Sequence, residues 1–161
     1  MSKSYKVLVV GGGAAGLATA ASLKKRDRSL EVAVVEPSDK HYYQPGWTMV
    51  GAGVFTKEDT IKDTDSIWPS DVIRIKDEVI KFDPKNNKVT LGNKTEVGYE
   101  MLVVASGLKL DWEAIEGLSE SLGENGVTSN YRYDLAPYTW ELVQEMNGKN
   151  AIFTQPPMPI K

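Results

Sequence analysis

The sequence predicts an α/β fold: a buried parallel sheet, helices packed on it, and a small antiparallel insert. Three observations predict it. The apolar runs Val7-Leu8-Val9-Val10 and Val32-Ala33-Val34-Val35 are short and continuous, as in parallel strands covered on both faces. Between them stand Gly11, Gly13 and Gly16, followed by a helix-forming run over residues 17–26. Later, Glu78-Val79-Ile80-Lys81-Phe82 and Lys88-Val89-Thr90-Leu91 flank the turn Asp83-Pro84-Lys85-Asn86-Asn87, the pattern of a hairpin.

Each early element has a physical reason. Tyr5-Lys6 leads into the first strand, and Gly11 allows a tight turn at its end. Gly13 has no Cβ, so a pyrophosphate can approach the backbone. Gly16 lets the helix lie close to the sheet, helped by Ala18, Ala20 and Ala21. The second strand ends in Glu36, about 20 residues past Gly16. Strand, glycine turn, helix, strand and acid in this order form a dinucleotide-binding fingerprint. The helix N-terminus carries unpaired N–H groups and partial positive charge, which suit a diphosphate. Gly12, Gly13, Ala14 and Ala15 are expected to donate those N–H groups. Glu36 is expected to accept hydrogen bonds from a ribose diol. No basic residue follows it before Lys40, which argues for the unphosphorylated ribose of FAD or NAD over NADP.

The loop over 39–53 is rich in aromatics and glycine, and it starts at the carboxyl end of the second strand, where open α/β sheets bind ligands. Residues 57–66 are polar and weakly helical, and Trp68-Pro69 ends them. Residues 72–76 alternate apolar and charged before the hairpin. Met101-Leu102-Val103-Val104-Ala105 is another buried strand, closing in the small-residue corner Ser106-Gly107. Residues 118–130 read as loop and 138–146 as helix, punctuated by Asn147-Gly148. Ala151-Ile152-Phe153-Thr154 reads as the start of a new strand. The expected division is an incomplete first dinucleotide-binding domain over 1–130, then a connecting helix and the first strand of a second such domain over 131–161.

Composition narrows the chemistry. The 161 residues suffice for one domain with a core, and a net charge of −3 offers no basic footprint for nucleic acid. No apolar run approaches bilayer length, and no signal or transit peptide is present in this chain. Cysteine is absent, so disulfide, thiolate and zinc-thiolate chemistry cannot come from these residues. With His41 the single histidine, a His-based metal site or a Ser-His-Asp triad is disfavoured, and no metal ligands are assigned.

Tyr99-Glu100-Met101-Leu102-Val103-Val104-Ala105-Ser106-Gly107 resembles the second signature of the two-dinucleotide-binding flavoproteins, with Ser106 where threonine is usual. Within that group the sequence resembles the sulfide:quinone oxidoreductase family of mitochondria and many bacteria. His41-Tyr42-Tyr43-Gln44-Pro45-Gly46-Trp47 is the most specific part of the likeness. Val35-Glu36-Pro37-Ser38, Val50-Gly51-Ala52-Gly53, Gly107-Leu108-Lys109-Leu110-Asp111, Ser129-Asn130-Tyr131 and Asn150-Ala151-Ile152-Phe153-Thr154 add to it. The resemblance implies a truncated two-domain flavoprotein with a Rossmann-like FAD-binding domain. It implies FAD as cofactor and sulfide and a quinone as partners. Electrons would pass from a pair of redox cysteines through the flavin. It also implies membrane-surface attachment through C-terminal helices, at the bacterial inner membrane or alternatively the mitochondrial one. The first redox cysteine would fall directly after Pro159-Ile160-Lys161, so no catalytic residue is assigned within this chain. The chain alone is expected to be inactive and to retain FAD weakly. A type II NADH dehydrogenase, a flavocytochrome-type sulfide dehydrogenase and a non-catalytic nucleotide-binding fragment stay open.

By the same resemblance the Val79 main chain would meet the adenine, Gln44 would touch the cofactor from its loop, and Ala105, Ser106 and Gly107 would form a corner on the pyrophosphate side. Tyr42, Tyr43 and Trp47 read equally as flavin wall and as loop packing. His41 reads as a hydrogen-bonded structural histidine before an acid or base. Glu116 and Glu120 read as solvated loop acids before proton relays, and Trp68, Trp112 and Trp140 as packing residues.

Overall fold

The computed structural model describes residues 3–148 and 150–155. Its elements in chain order are β1 Lys3–Val10, α1 Ala14–Arg26, β2 Val32–Val35, β3 Lys40–Tyr42, α2 Gly46–Gly51, β4 Ile61–Asp63, α3 Thr64–Ile67, β5 Ile73–Ile75, β6 Val79–Asp83, β7 Lys88–Leu91, β8 Glu96–Val104, α4 Leu118–Ser121 and α5 Ala136–Glu145. Single 3-10 turns stand at Glu58–Thr60, Pro84–Asn86 and Trp112–Ala114.

The residues divide into two compact units, Met1–Tyr43 with Ile61–Asp111, and Gln44–Thr60 with Trp112–Lys161. Residue 130, where the sequence sets a domain boundary, lies within the second.

The first unit carries a six-stranded sheet in the order β5-β2-β1-β8-β7-β6. The β5, β2, β1 and β8 strands run parallel, with Val7 opposite Val32 and Val10 opposite Val35. The β6–β7 hairpin continues this sheet in antiparallel sense, because β7 pairs with the first residues of β8, Lys88 opposite Gly98. Strand β8 begins at Glu96, five residues earlier than the apolar run at Met101 indicates; Glu96, Gly98 and Glu100 dilute the apolar signal there. The β-branched run of β2 is buried throughout, as a central parallel strand requires. One face of the sheet packs Tyr5, Leu8, Val35, Val89 and Tyr99; the other packs Val7, Val9, Val34 and Val72 with Ala20 of α1.

Helix α1 ends in Lys24, Lys25 and Arg26, cations that complement its carbonyl end. It starts at Ala14, inside the glycine turn, earlier than its apolar content suggests.

A separate antiparallel pair, β3–β4, sets His41 opposite Lys62 and Tyr42 opposite Ile61. The sequence indicates loop at β3 and a weakly helical stretch at β4, because three-residue strands are too short to show a period. The β5 strand, expected only as an alternating stretch, pairs in parallel with β2, Ala33 opposite Ile73.

In the second unit, α2 packs against α5. Leu135, Ala136 and Val50 are buried, and Trp47 and Tyr133 meet with ring centres 6.2 Å apart. The stretch expected as loop over 118–130 opens with α4. The strand expected at 151–154 is not formed: residues 150–155 have no regular structure, and Ile152 and Phe153 are 88% and 91% exposed. A strand needs a neighbour to satisfy its backbone, and none pairs there among the described residues. The site expected after Pro159-Ile160-Lys161 lies outside the described residues.

Candidate functional site

The candidate site lies at the carboxyl end of the parallel strands in the first unit. Two main-chain hydrogen bonds shape it. The Gly11 N–H donates to the Val35 carbonyl at 2.9 Å, and the Ala105 N–H donates to the Val10 carbonyl at 2.8 Å. These bonds extend the ladders of β1 with β2 and β8 past the last residues of the strands. Gly11 adopts φ +100°, and a Cβ there would run into Ala105, 2.7 Å from its carbonyl carbon and 2.9 Å from Ser106 Cα. The corner formed by Ala105 and Ser106 is therefore packed on the glycine turn, as the two signatures together require.

Gly16 faces back onto the same turn. A Cβ would sit on the Gly11 carbonyl and 3.4 Å from Val9 Cγ1. Gly13 differs: an added Cβ meets nothing within 4 Å among the described residues. It is exposed, as are Ala14 and Ala15, while Gly12 and Gly16 are buried. The first turn of α1 has no acidic residue and no side-chain cap hydrogen bond among the described residues. The Gly13, Ala14 and Ala15 N–H groups precede the first full helical turn and point outward from the helix start. This is an open anion seat of the kind a diphosphate occupies.

The Gly12 N–H donates to Glu36 Oε2 at 2.7 Å, a bond that the fingerprint spacing alone does not indicate. The close approach explains this: a Cβ on Gly12 would lie 2.7 Å from Glu36 Cβ. The other carboxylate oxygen, Oε1, accepts from the Ser38 N–H at 2.7 Å. Glu36 is thus gripped on both oxygens by main-chain donors, with further lone pairs left for a diol. Its own N–H donates to the Ile75 carbonyl at 3.0 Å, which fixes the strand end.

The absence of cations near Glu36, read along the chain, does not hold in space. Arg74 and Lys76 come from β5 and its end to the segment over 38–39. Lys76 Nζ donates to Asp39 Oδ2 at 2.6 Å, and Arg74 contacts Asp39 and Asp65. Lys76 first, then Arg74, holds the Asp39 carboxyl below its ordinary range. Both cations are balanced by carboxylates, so the preference for an unphosphorylated ribose keeps its electrostatic basis. Arg74 and Ser38 are the site residues that sequence reasoning missed. The sequence shows residues 72–76 only as an alternating stretch, with no sign of the partner Arg74 meets.

Val79 opens β6 four residues beyond Ile75, whose carbonyl holds Glu36, and is half-buried opposite Leu91. Gly107 has φ +74° with open space around it, and Ser106 is exposed. Gln44 belongs to the second unit and is exposed; its carbonyl accepts the Trp47 N–H at 3.0 Å. Glu116 and Glu120 are exposed, and Trp140 packs beside Gly53, in keeping with a packing role. Among the described residues no cluster of three or more His, Asp or Glu could hold a metal ion, and no helix is long and apolar enough to cross a membrane.

The mitochondrial sulfide:quinone oxidoreductase of Dictyostelium discoideum is 44% identical over 158 residues, covering 97% of this chain and 35% of that protein. Its counterpart in Mus musculus is 40% identical over 98% of this chain and 35% of its own length. The crystal structure of the sulfide:quinone oxidoreductase from Aquifex aeolicus superposes with a TM-score of 0.69 at 26% identity, covering 90% of this chain and 32% of that one. The chain therefore spans about a third of the length of the relatives it matches. Residues 5–141, which carry both signatures, match the pyridine nucleotide-disulphide oxidoreductases, and the chain belongs to that family.

Proposed function

We propose that this chain builds the adenosine and pyrophosphate half of the FAD site of a sulfide:quinone oxidoreductase. The observation that carries the reading is the open helix start at Gly13, Ala14 and Ala15 beside a Glu36 already held by two backbone N–H groups. The likeness to sulfide:quinone oxidoreductases over nearly the whole chain supplies the choice of substrate.

In this reading Gly13, Ala14 and Ala15 donate to the diphosphate, and the α1 dipole adds to their attraction. Glu36 accepts from the adenosine ribose. Val79 offers its main chain to the adenine, and Ala105, Ser106 and Gly107 bound the pyrophosphate from the β8 side. The bound flavin supplies the two-electron acceptor, while the protein positions and tunes it. The chain has no cysteine, so it provides cofactor binding and no thiolate for sulfide. Because a quinone is a membrane substrate, this reading has the complete protein act at an inner-membrane surface, bacterial or mitochondrial.

The test uses the complete protein. It should purify with one FAD, sulfide should bleach the flavin absorbance, and a short-chain ubiquinone should restore it. Flavin that NADH reduces and sulfide does not would overturn the assignment in favour of an NADH dehydrogenase.

A further inference from the structure

We infer that Arg74 is a positioning residue for the ribose-binding carboxylate: it fixes Ser38 so that Ser38 can hold Glu36. The inference rests on the reading of Glu36 as the ribose acceptor.

The chain of contacts is short. Arg74 Nη2 donates to the Ser38 carbonyl at 2.8 Å, and the Ser38 N–H donates to Glu36 Oε1 at 2.7 Å. Both sides of the Ser38 main chain are therefore committed, one to the guanidinium and one to the carboxylate. The Ser38 hydroxyl closes the turn by donating to the Lys40 carbonyl at 2.7 Å. Arg74 is itself confined. Its side chain is only 16% exposed, its guanidinium lies 5.2 Å from the Trp68 ring centre, and Asp39 and Asp65 flank it. Trp68 is anchored in turn by its indole N–H on the Val72 carbonyl at 2.9 Å. Such a planar, stacked cation bound to several acceptors has a single orientation, which a lysine cannot reproduce. Arg74 also stands on β5 opposite Val34, so the carboxylate at the end of β2 is braced from the neighbouring strand.

If Arg74 acts through Glu36, its loss should weaken recognition of the ribose hydroxyl and spare the rest of the nucleotide. The complete protein, stripped of flavin, is titrated with FAD and with FAD lacking the adenosine 2′-hydroxyl. The wild type should favour FAD by about tenfold, as a charge-assisted hydrogen bond does. Glu36→Gln and Arg74→Gln should each shrink that ratio toward one, and Arg74→Gln should leave it unchanged in a Glu36→Gln background. Arg74→Lys keeps the charge and should lower the ratio severalfold; it replaces Arg74→Gln if that variant does not fold. A purely structural Arg74 would lower affinity for both ligands equally and keep the ratio, which would overturn the inference. A ratio near one in the wild type, or one untouched by Glu36→Gln, would instead overturn the role of Glu36 and the inference with it.

Discussion

Gly16 in the first unit and Gly53 in the second would each collide with their own unit on gaining a Cβ, but the obstacles differ. At Gly16 the obstacle is the Gly11 carbonyl, a main-chain group locked into the strand ends. At Gly53 it is the Trp140 ring, and at Gly51 it is the Asn130 side chain. Backbone held by sheet ladders cannot give way, whereas side chains can rotate or be exchanged. The glycine turn is therefore a property of chain geometry, and the glycines of the second unit are properties of their neighbours.

The sharpest way to break this contrast is Gly16→Ala. With a carbonyl in the way, α1 must separate from β1, and we expect a loss exceeding about 3 kcal/mol. Unfolding of the complete protein, followed together with its flavin content, checks it; a near-normal melting temperature would refute the main-chain obstruction. Gly53→Ala should cost less, about 1–3 kcal/mol, from the overlap 2.6 Å from Trp140 Cζ2 and a φ of +72°. A double-mutant cycle with Trp140→Leu should recover part of that loss, and additive costs would show that the ring is not the obstacle. Gly51→Ala should cost under about 1 kcal/mol, since the buried Asn130 Oδ1 has no hydrogen-bond partner among the described residues to lose when it moves.

A smaller effect is expected from pH. Asp39 is held by Lys76 and Arg74 below its ordinary 3.8, so it binds fewer protons in the folded chain than in the unfolded one. Its contribution is fully present above that ordinary value and fades as the pH falls through the lower folded one. Asp39→Asn should flatten the acid limb of a stability profile, and an unchanged limb would remove Asp39 from the brace. The smallest effect on stability belongs to Gly13→Ala. Its Cβ meets open space, so unfolding of the flavin-free protein should shift by less than about 0.5 kcal/mol, while FAD affinity falls. Equal FAD affinity would show that the diphosphate does not approach at Gly13.

The same contrast explains what the sequence makes legible. Strands β1 and β2, the apolar part of β8, α1, the β6–β7 hairpin and Glu36 can be read directly, because each follows from local spacing or a continuous apolar run. The packing of Gly11 against the corner at Ala105 could not, because it depends on β8 pairing with β1. Arg74 could not be read, because its partners Ser38, Asp39 and Asp65 are set by the parallel pairing of β5 on β2. The Gly12 bond to Glu36 was hidden for a related reason. The fingerprint places both residues at one end of the sheet, but which N–H turns to the carboxylate depends on the twist of the turn. The strand expected at 151–154 failed in the opposite direction. Its apolar residues satisfy a local pattern, and no neighbouring strand completes it among the described residues.

The two backbone bonds on Glu36 bear on how a nucleotide is met. A free glutamate side chain samples many rotamers, and confining one costs up to about 2 kcal/mol. Here the Gly12 and Ser38 N–H groups impose that confinement during folding, before any ligand arrives. On the proposed reading the receptor is preorganised, so an incoming ribose need not bring order to that carboxylate. Association is then limited by diffusion and orientation of the nucleotide, and differences in affinity among ribose variants should appear as differences in residence time.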